Sequence, residues 1–419
     1  VAGLDGLQGL VFLEDILEKV KQASTLKLFL RARFMPRRYL AHARRFSADD
    51  LATVIFTSGS SGRPKGVMLS HHNILSNIEA ARMVFRIRPD DDVCAVLPFF
   101  HSFGFTCTLW LPLVSGVSAG YVPNPLDGRA VGQVARENRS TLLFGTPTFL
   151  LNYVRRAEPE DFASLRFVVV GAEKLKESVA DSFEAKFGIR PVEGYGTTEL
   201  SPVVSLNLPD VTVGGVYQVG NKPGAVGHPI PGVAVKGVDV NDGRPLPTGT
   251  AGLLLVKGPN VMLGYLNAPQ ETAAVIEDGW YKTGDIAAVD EDGFLTLTGR
   301  LSRFSKISGE MVPHIGVEEA YLRALGTSEQ VLAVTSVPAS KKGEELVVVH
   351  IEEAGDADRL HRIISESNLP NLWKPRRDCY VKVDAIPTLG SGKLDLMRLR
   401  QVAMAQKGIS PQSDGPGRE

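Results

Sequence analysis

The sequence has no surplus of either charge: 46 Lys and Arg against 47 Asp and Glu give its 419 residues a formal charge of −1. Duplex binding draws on a basic surplus that displaces condensed counterions, so no nucleic-acid partner is expected. Cysteine is scarce. Cys94, Cys107 and Cys379 are too few and too scattered for a disulfide framework or a four-ligand zinc site, and they suit a reducing cytoplasm. Nor is this the composition of a disordered chain. With 43% hydrophobic and 22% charged residues it has the length and apolar content for two or three domains and a sizeable core. From Val1 onward there is no basic-then-apolar leader pattern, and no internal repeat runs along the chain.

Charge is missing altogether from residues 93–126, a stretch of 34 positions without Asp, Glu, Lys or Arg. A membrane-crossing helix needs about 20 apolar residues in a row. Pro98, Gly104, Pro112, Gly116, Gly120, Pro123 and Pro125 cut the run into pieces too short to span. Buried strands and helices, or an apolar pocket wall, are expected there instead.

Strand and helix signals alternate over residues 48–205. Strands are expected at 51–56, 94–97, 141–144, 167–170 and 191–193, with helices at 72–85 and 177–187. Strands spaced by helices predict an α/β subdomain around a layered, mainly parallel sheet. Residues 206–299 change texture: short strands at 233–240, 252–257 and 294–298, with Asp242-Gly243 and Asp292-Gly293 turns, predict a small antiparallel β subdomain. Residues 300–405 read as an α+β domain, with helices at 317–325, 356–367 and 394–405 and strands at 331–337, 345–351 and 380–383. The polar, Gly- and Pro-bearing tail 406–419 is expected to be disordered.

The strongest local signal runs Thr57-Ser58-Gly59-Ser60-Ser61-Gly62-Arg63-Pro64-Lys65-Gly66. Glycines let backbone N–H groups approach an anion, and the hydroxyls add donors, so the loop suits a polyphosphate. It is not the P-loop pattern, because Gly66 follows Lys65 and supplies no hydroxyl for Mg2+. Standing alone, it would equally be a flexible Gly/Ser hairpin.

Further along come Gly171-Ala172-Glu173, Tyr195-Gly196-Thr197-Thr198-Glu199, Tyr281-Lys282-Thr283-Gly284-Asp285, Gly299-Arg300 and Ser391-Gly392-Lys393. Taken in order, at expected element ends, these motifs resemble the adenylate-forming superfamily of acyl-CoA synthetases, luciferases and peptide-synthetase adenylation domains. The resemblance covers residues 50–405. It implies that Thr57, Ser58, Gly59, Ser60, Ser61, Gly62 and Lys65 hold the ATP β- and γ-phosphates. Gly171, Ala172 and Glu173, with Tyr195 and Gly196, would frame the adenine, Thr197 would belong to the same nucleotide site, and Thr198 would touch the α-phosphate. Glu199 would bind Mg2+, a cation that favours carboxylate oxygens. Asp285 would take the ribose hydroxyls beside Arg300, and Lys393 would meet the charge that accumulates between the attacking carboxylate and the α-phosphate. Singly, each has a plainer reading: Glu199 a solvated helix-start acid, Asp285 turn chemistry after Gly284, Lys393 a surface charge.

The implied reaction is acyl-adenylate formation followed by transfer to a phosphopantetheine thiol, with the C-terminal domain rotating between steps as a lid. His101, among the rings of Phe99, Phe100, Phe103 and Phe105, matches the superfamily's acyl-pocket motif and is expected at the pocket gate. A lone histidine there would otherwise be packed core. The segment lacks an acid or Arg to pair with an amino-acid substrate, so a fatty acid is expected; burying each methylene contributes about 0.8 kcal/mol. The run after Arg300, Leu301-Ser302-Arg303-Phe304-Ser305-Lys306, looks like the acyl-[acyl-carrier-protein] synthetase half of bifunctional 2-acylglycerophosphoethanolamine acyltransferases. That implies acyl carrier protein as acceptor. A long-chain fatty acid–CoA ligase is the close alternative, an aryl or amino-acid adenylation module a more distant one, and an inactive binding fragment the outlier. No histidine has Asp five positions on, so an acyltransferase domain is expected elsewhere.

On this resemblance residues 1–47 are expected to be the remnant of a larger N-terminal subdomain. Lys21, Lys27, Arg31, Arg33, Arg37, Arg38, Arg44 and Arg45 fall within 21–45 with no acid and with interleaved leucines. That segment is expected to meet an anionic membrane or an acidic carrier, placing the protein in the cytoplasm at the inner membrane face, although a solvated basic surface has the same pattern. Lys374, Arg376 and Arg377 are expected to face the carrier near the thiol's path.

Overall fold

The computed structural model describes residues 27, 29–30, 33–34, 46–57, 64–327, 329–339, 343–388 and 394–409. Ser58, Gly59, Ser60, Ser61, Gly62 and Lys393 lie outside them, as do most of the basic segment 21–45 and residues 410–419 of the tail. The chain forms two units, Val1–Asp50 and Leu51–Glu419. In the first, Lys27, Phe29, Leu30, Arg33 and Phe34 are helical and exposed.

In the second unit, β1 (Leu51–Thr57) and β2 (Lys65–Ser70) flank the Gly/Ser loop. A connection this short cannot make a parallel crossover, so the two strands pair antiparallel and Gly264–Tyr265 joins them at β2. This corrects the placement of 51–56 as a buried strand of the parallel sheet: Leu51 and Phe56 are exposed and only Ile55 is buried.

The mainly parallel sheet is present. β3 (Asp92–Ala95), β4 (Ser118–Tyr121), β5 (Leu142–Gly145), β6 (Phe167–Val170) and β7 (Val192–Gly196) run parallel in the order β4-β3-β5-β6-β7. Helices Gly128–Asn138, Pro147–Arg156 and Glu177–Phe187 make the crossovers after β4, β5 and β6. β8 (Val203–Leu206) pairs antiparallel with β7, and His228–Pro229 closes that edge. Both β3 and β5 are buried along their whole length, which is why they read as continuous apolar runs rather than alternations. The helix His71–Phe85 starts on a capping box in which Ser70 and Asn73 satisfy each other's backbone N–H.

The charge-free stretch resolves into β3, the short helix Ser102–Gly104, a π-helical turn Phe105–Trp110, the helix Leu111–Ser115 and β4. Among the described residues no helix is long and apolar enough to cross a membrane. Strand β4 and strand β2 carry no clear signal in the sequence and were not expected.

The antiparallel β subdomain is also present: Ala234–Val238, Gly252–Lys257, Trp280–Val289 and Ile276–Glu277 pair in that order, and Leu295–Arg300 joins Trp280–Val289. Its apolar residues merge with those of the parallel sheet into one core reaching from Ile55 to Leu295. After Arg300 the α+β region builds its own sheet around the antiparallel pair Leu332–Ala339 and Gly343–His350. Alternation splits that pair between two cores: Val334, Leu346 and Val348 face the helices His314–Leu325 and Ala357–Ser365. Ala333, Val347 and Val349 face Leu399 and Ala403 of Leu396–Gln406.

Candidate active site

In an α/β sheet ligands bind beyond the carboxyl ends of parallel strands, and here Gly171 follows the end of β6 and the 3-10 turn Thr198–Leu200 follows the end of β7. A cavity of about 1000 Å³ opens there. Every described candidate, Thr57, Lys65, His101, Gly171, Ala172, Glu173, Tyr195, Gly196, Thr197, Thr198, Glu199, Asp285 and Arg300, lines it. Apolar side chains line the same cavity, Phe85, Phe103, Cys107, Phe144, Val169 and Val203 among them, and the rings of Phe85 and Phe103 both pack edge-on against Phe144.

Ala172 takes φ 67°, a left-handed conformation that strains a residue with a Cβ. That turn brings the Glu173 carboxylate to the start of helix Pro147–Arg156, where the Thr148 hydroxyl donates to it at 2.7 Å. Gly196 has a different reason: a Cβ there would come within 2.1 Å of the Pro202 carbonyl oxygen.

Asp285 sits on the strand Trp280–Val289, buried, and is held from three sides. The Tyr195 hydroxyl donates to Oδ2 at 2.5 Å and Arg300 Nε–H donates to Oδ1 at 2.8 Å. Its backbone N–H donates to Thr283 Oγ1 at 3.0 Å. Burial, then the Asp285 charge, pushes the Tyr195 phenol well above its ordinary pKa and keeps it a donor.

Glu199 accepts at Oε1 from the Tyr265 hydroxyl at 2.9 Å, and the Lys65 ammonium lies over the Tyr265 ring, 4.8 Å from its centroid. Lys65 also pairs with Glu271 at 2.5 Å. Thr198 Oγ1 lies 3.1 Å from Ser102 Oγ, which ties this motif to the aromatic segment. His101 is exposed; its Nδ1 accepts the Phe103 N–H at 3.4 Å and caps the helix Ser102–Gly104. The packed-core alternative for His101 therefore does not describe its surroundings.

The donor set suits a magnesium nucleotide. Mg2+ is usually held by one or two carboxylates plus phosphate oxygens, and among the described residues no group of three His, Cys, Asp or Glu side chains gathers into a metal cage. Thr197 lines the cavity, and its buried hydroxyl has no hydrogen-bond partner among the described residues, a donor that a nucleotide oxygen could satisfy.

Ser102, Glu193 and Tyr265 line the cavity, and Glu271 pairs with the lining residue Lys65; the sequence singled out none of them. Tyr265 reaches Glu199 only because Gly264–Tyr265 pairs with β2, a contact with no local signature. Glu193 on β7 lines the cavity, and burial raises its carboxyl to about 7 against the opposing Leu175 amide and Lys174. Two of the three basic residues expected to face a carrier are countered locally, Arg376 by Glu345 and Arg377 by Asp358 at 2.7 Å. Lys374 donates to the carbonyls of Ser365 and Ser367.

Comparison with known proteins matches residues 12–266 to the profile of the AMP-binding enzyme family. The chain belongs to that family. A long-chain-fatty-acid–CoA ligase of Salmonella typhimurium is 34% identical over 320 residues, covering 75% of this chain and 55% of the relative. A feruloyl-CoA synthase of Amycolatopsis is 32% identical over 355 residues, 83% of this chain and 68% of the relative. Among solved structures, ATP-bound MatB from Rhodopseudomonas palustris superposes with a TM-score of 0.70 at 29% identity, covering 85% of this chain and 69% of that one. The chain spans about half the length of the fatty-acid ligase relatives.

Proposed function

We propose that this AMP-binding enzyme activates a fatty acid with ATP and passes the acyl group to a phosphopantetheine thiol. The observation that carries this reading is one cavity lined both by the nucleotide candidates and by a set of aromatic and aliphatic side chains. A carboxylate oxygen would attack the ATP α-phosphorus, forming the acyl–phosphate bond while the bond to pyrophosphate breaks. The thiol, giving up its proton, would then attack the acyl carbonyl, and AMP would leave. Asp285 would accept the ribose hydroxyls, Thr198 would donate to the α-phosphate, and Lys65 with residues 58–62 would hold the terminal phosphates. Lys393 would neutralise the charge that builds up in the first step. Mg2+ held by Glu199 would offset the charge of the triphosphate.

For the acceptor, the sequence after Arg300 favours acyl carrier protein, whereas the relatives' names favour CoA. The ion pairs of Arg376 and Arg377 reduce the positive charge that this surface offers to either anionic acceptor. The basic segment 21–45 would contact a membrane, and an acyltransferase domain would lie elsewhere. Fatty-acid-dependent ATP–pyrophosphate exchange across a chain-length series tests the first step; a folded sample with no exchange for any carboxylate would overturn it. Supplying CoA or acyl carrier protein to the loaded enzyme separates the two acceptors.

A further inference from the structure

Tyr265 touches two charged groups, one that the proposed reading assigns to Mg2+ and one that it assigns to the terminal phosphates. Its hydroxyl donates to Glu199 Oε1 at 2.9 Å, and its ring carries the Lys65 ammonium at 4.8 Å. The ring is buried and anchored on both sides. Tyr265 pairs with Val67 of β2, and its N–H donates to Thr272 Oγ1 at 2.9 Å. Tyr281, also buried and on the strand that carries Asp285, lies beside the Tyr265 side chain. Met262, three residues before Tyr265, donates its N–H to the Glu199 carbonyl at 2.9 Å. The segment thus fixes Glu199 through both backbone and side chain.

We propose that Tyr265 is a positioning residue that sets the Glu199 carboxylate and the Lys65 ammonium as one unit, so that cation and triphosphate bind together. The proposal rests on the reading of Glu199 as the Mg2+ carboxylate. A hydrogen bond to one oxygen fixes the plane of a carboxylate, which matters for a cation that demands near-ideal octahedral geometry. The ring face adds attraction for the ammonium, independent of the hydroxyl. The two contributions are therefore separable by substitution.

The test is calorimetric titration of the intact chain with ATP at a series of Mg2+ concentrations, and with ATP alone. Tyr265→Phe keeps the ring and should raise the Mg2+ midpoint about tenfold, leaving Mg2+-free ATP affinity as in the wild type. Tyr265→Leu should do both: raise the midpoint and weaken Mg2+-free ATP binding about two- to fivefold. Thermal melts establish folding; if Tyr265→Phe fails to fold, Thr272→Val, which removes the hydroxyl that accepts the Tyr265 N–H, should still raise the midpoint, by less, and an unmoved midpoint would overturn the role. A Tyr265→Phe midpoint equal to the wild type, while Glu199→Gln shifts it, overturns the role of Tyr265 alone. A midpoint unmoved by Glu199→Gln removes the metal reading of Glu199 and the proposal with it.

Discussion

Asp285 and Arg300 face each other across two antiparallel strands, and the guanidinium Nε–H donates to the carboxylate at 2.8 Å. Because this is a register pair of the sheet, the backbone places both groups before any ligand arrives. The Tyr195 hydroxyl occupies the other carboxylate oxygen from β7, so the carboxylate plane is fixed by two independent elements.

Asp285→Ala should therefore raise the apparent KM for ATP about 10- to 100-fold, the loss expected for a charge-assisted hydrogen bond worth about 1.5–3 kcal/mol. Steady-state kinetics with ATP as the varied substrate measures this. Asp285→Asn, which keeps an acceptor, should lie between the variant and the wild type. Equal KM values for all three would remove the ribose role.

Gly196→Ala should lower stability by about 1–3 kcal/mol, because the added Cβ meets backbone that cannot yield. The Pro202 carbonyl it would strike, at 2.1 Å, already accepts the Thr197 N–H at 3.0 Å. Gly237→Ala is the control: its nearest neighbour would be 3.7 Å away, and a change within about 0.5 kcal/mol is expected. Denaturant unfolding of both variants separates crowding from a general intolerance of alanine for glycine.

Those two sites mark what a sequence can and cannot disclose. Gly196 ends β7, and Asp285 follows Gly284, whose φ of 75° interrupts an otherwise regular strand; both fall in short motifs that stand out in the sequence because backbone geometry restricts residue choice there. The parallel sheet was legible because buried strands read as apolar runs between helices. β1 was misplaced because apolar content alone does not say which sheet a strand joins; the short connection to β2 decides that. Tyr265 and Glu199 are 66 residues apart and meet through strand pairing, which leaves no periodic trace. Arg376 and Arg377 illustrate the converse, since a basic run does not reveal the acids that the fold sets beside it.

Lys393→Ala should abolish acyl-adenylate formation while leaving thioester formation from supplied acyl-adenylate largely intact. The superfamily resemblance assigns this lysine to the first half-reaction only, where charge gathers between carboxylate and α-phosphate. Pyrophosphate exchange reads the first step, and thiol consumption with added acyl-adenylate reads the second. Similar losses in both would withdraw the assignment.

Glu193 should make stability depend on pH in the sense opposite to most carboxylates. It is 9% exposed, and burial raises its folded pKa from 4.5 to about 7, against the lowering effects of the Leu175 amide and Lys174. Between those values the folded chain binds more protons than the unfolded chain, so stability is full below about pH 4.5 and falls as pH rises through about 7. The loss has an upper bound of about 3 kcal/mol. Glu193→Gln has no such ionisation, so from about pH 5 to about pH 8 its stability relative to the wild type should increase. His314, which burial and then the charges of Arg303 and Arg400 pull down to about 3, acts in the other direction below pH 6.5, but both proteins carry it and it cancels in the difference. Denaturant titrations of the pair across that range decide the matter: parallel stability curves would mean that the Glu193 carboxyl titrates at its ordinary value.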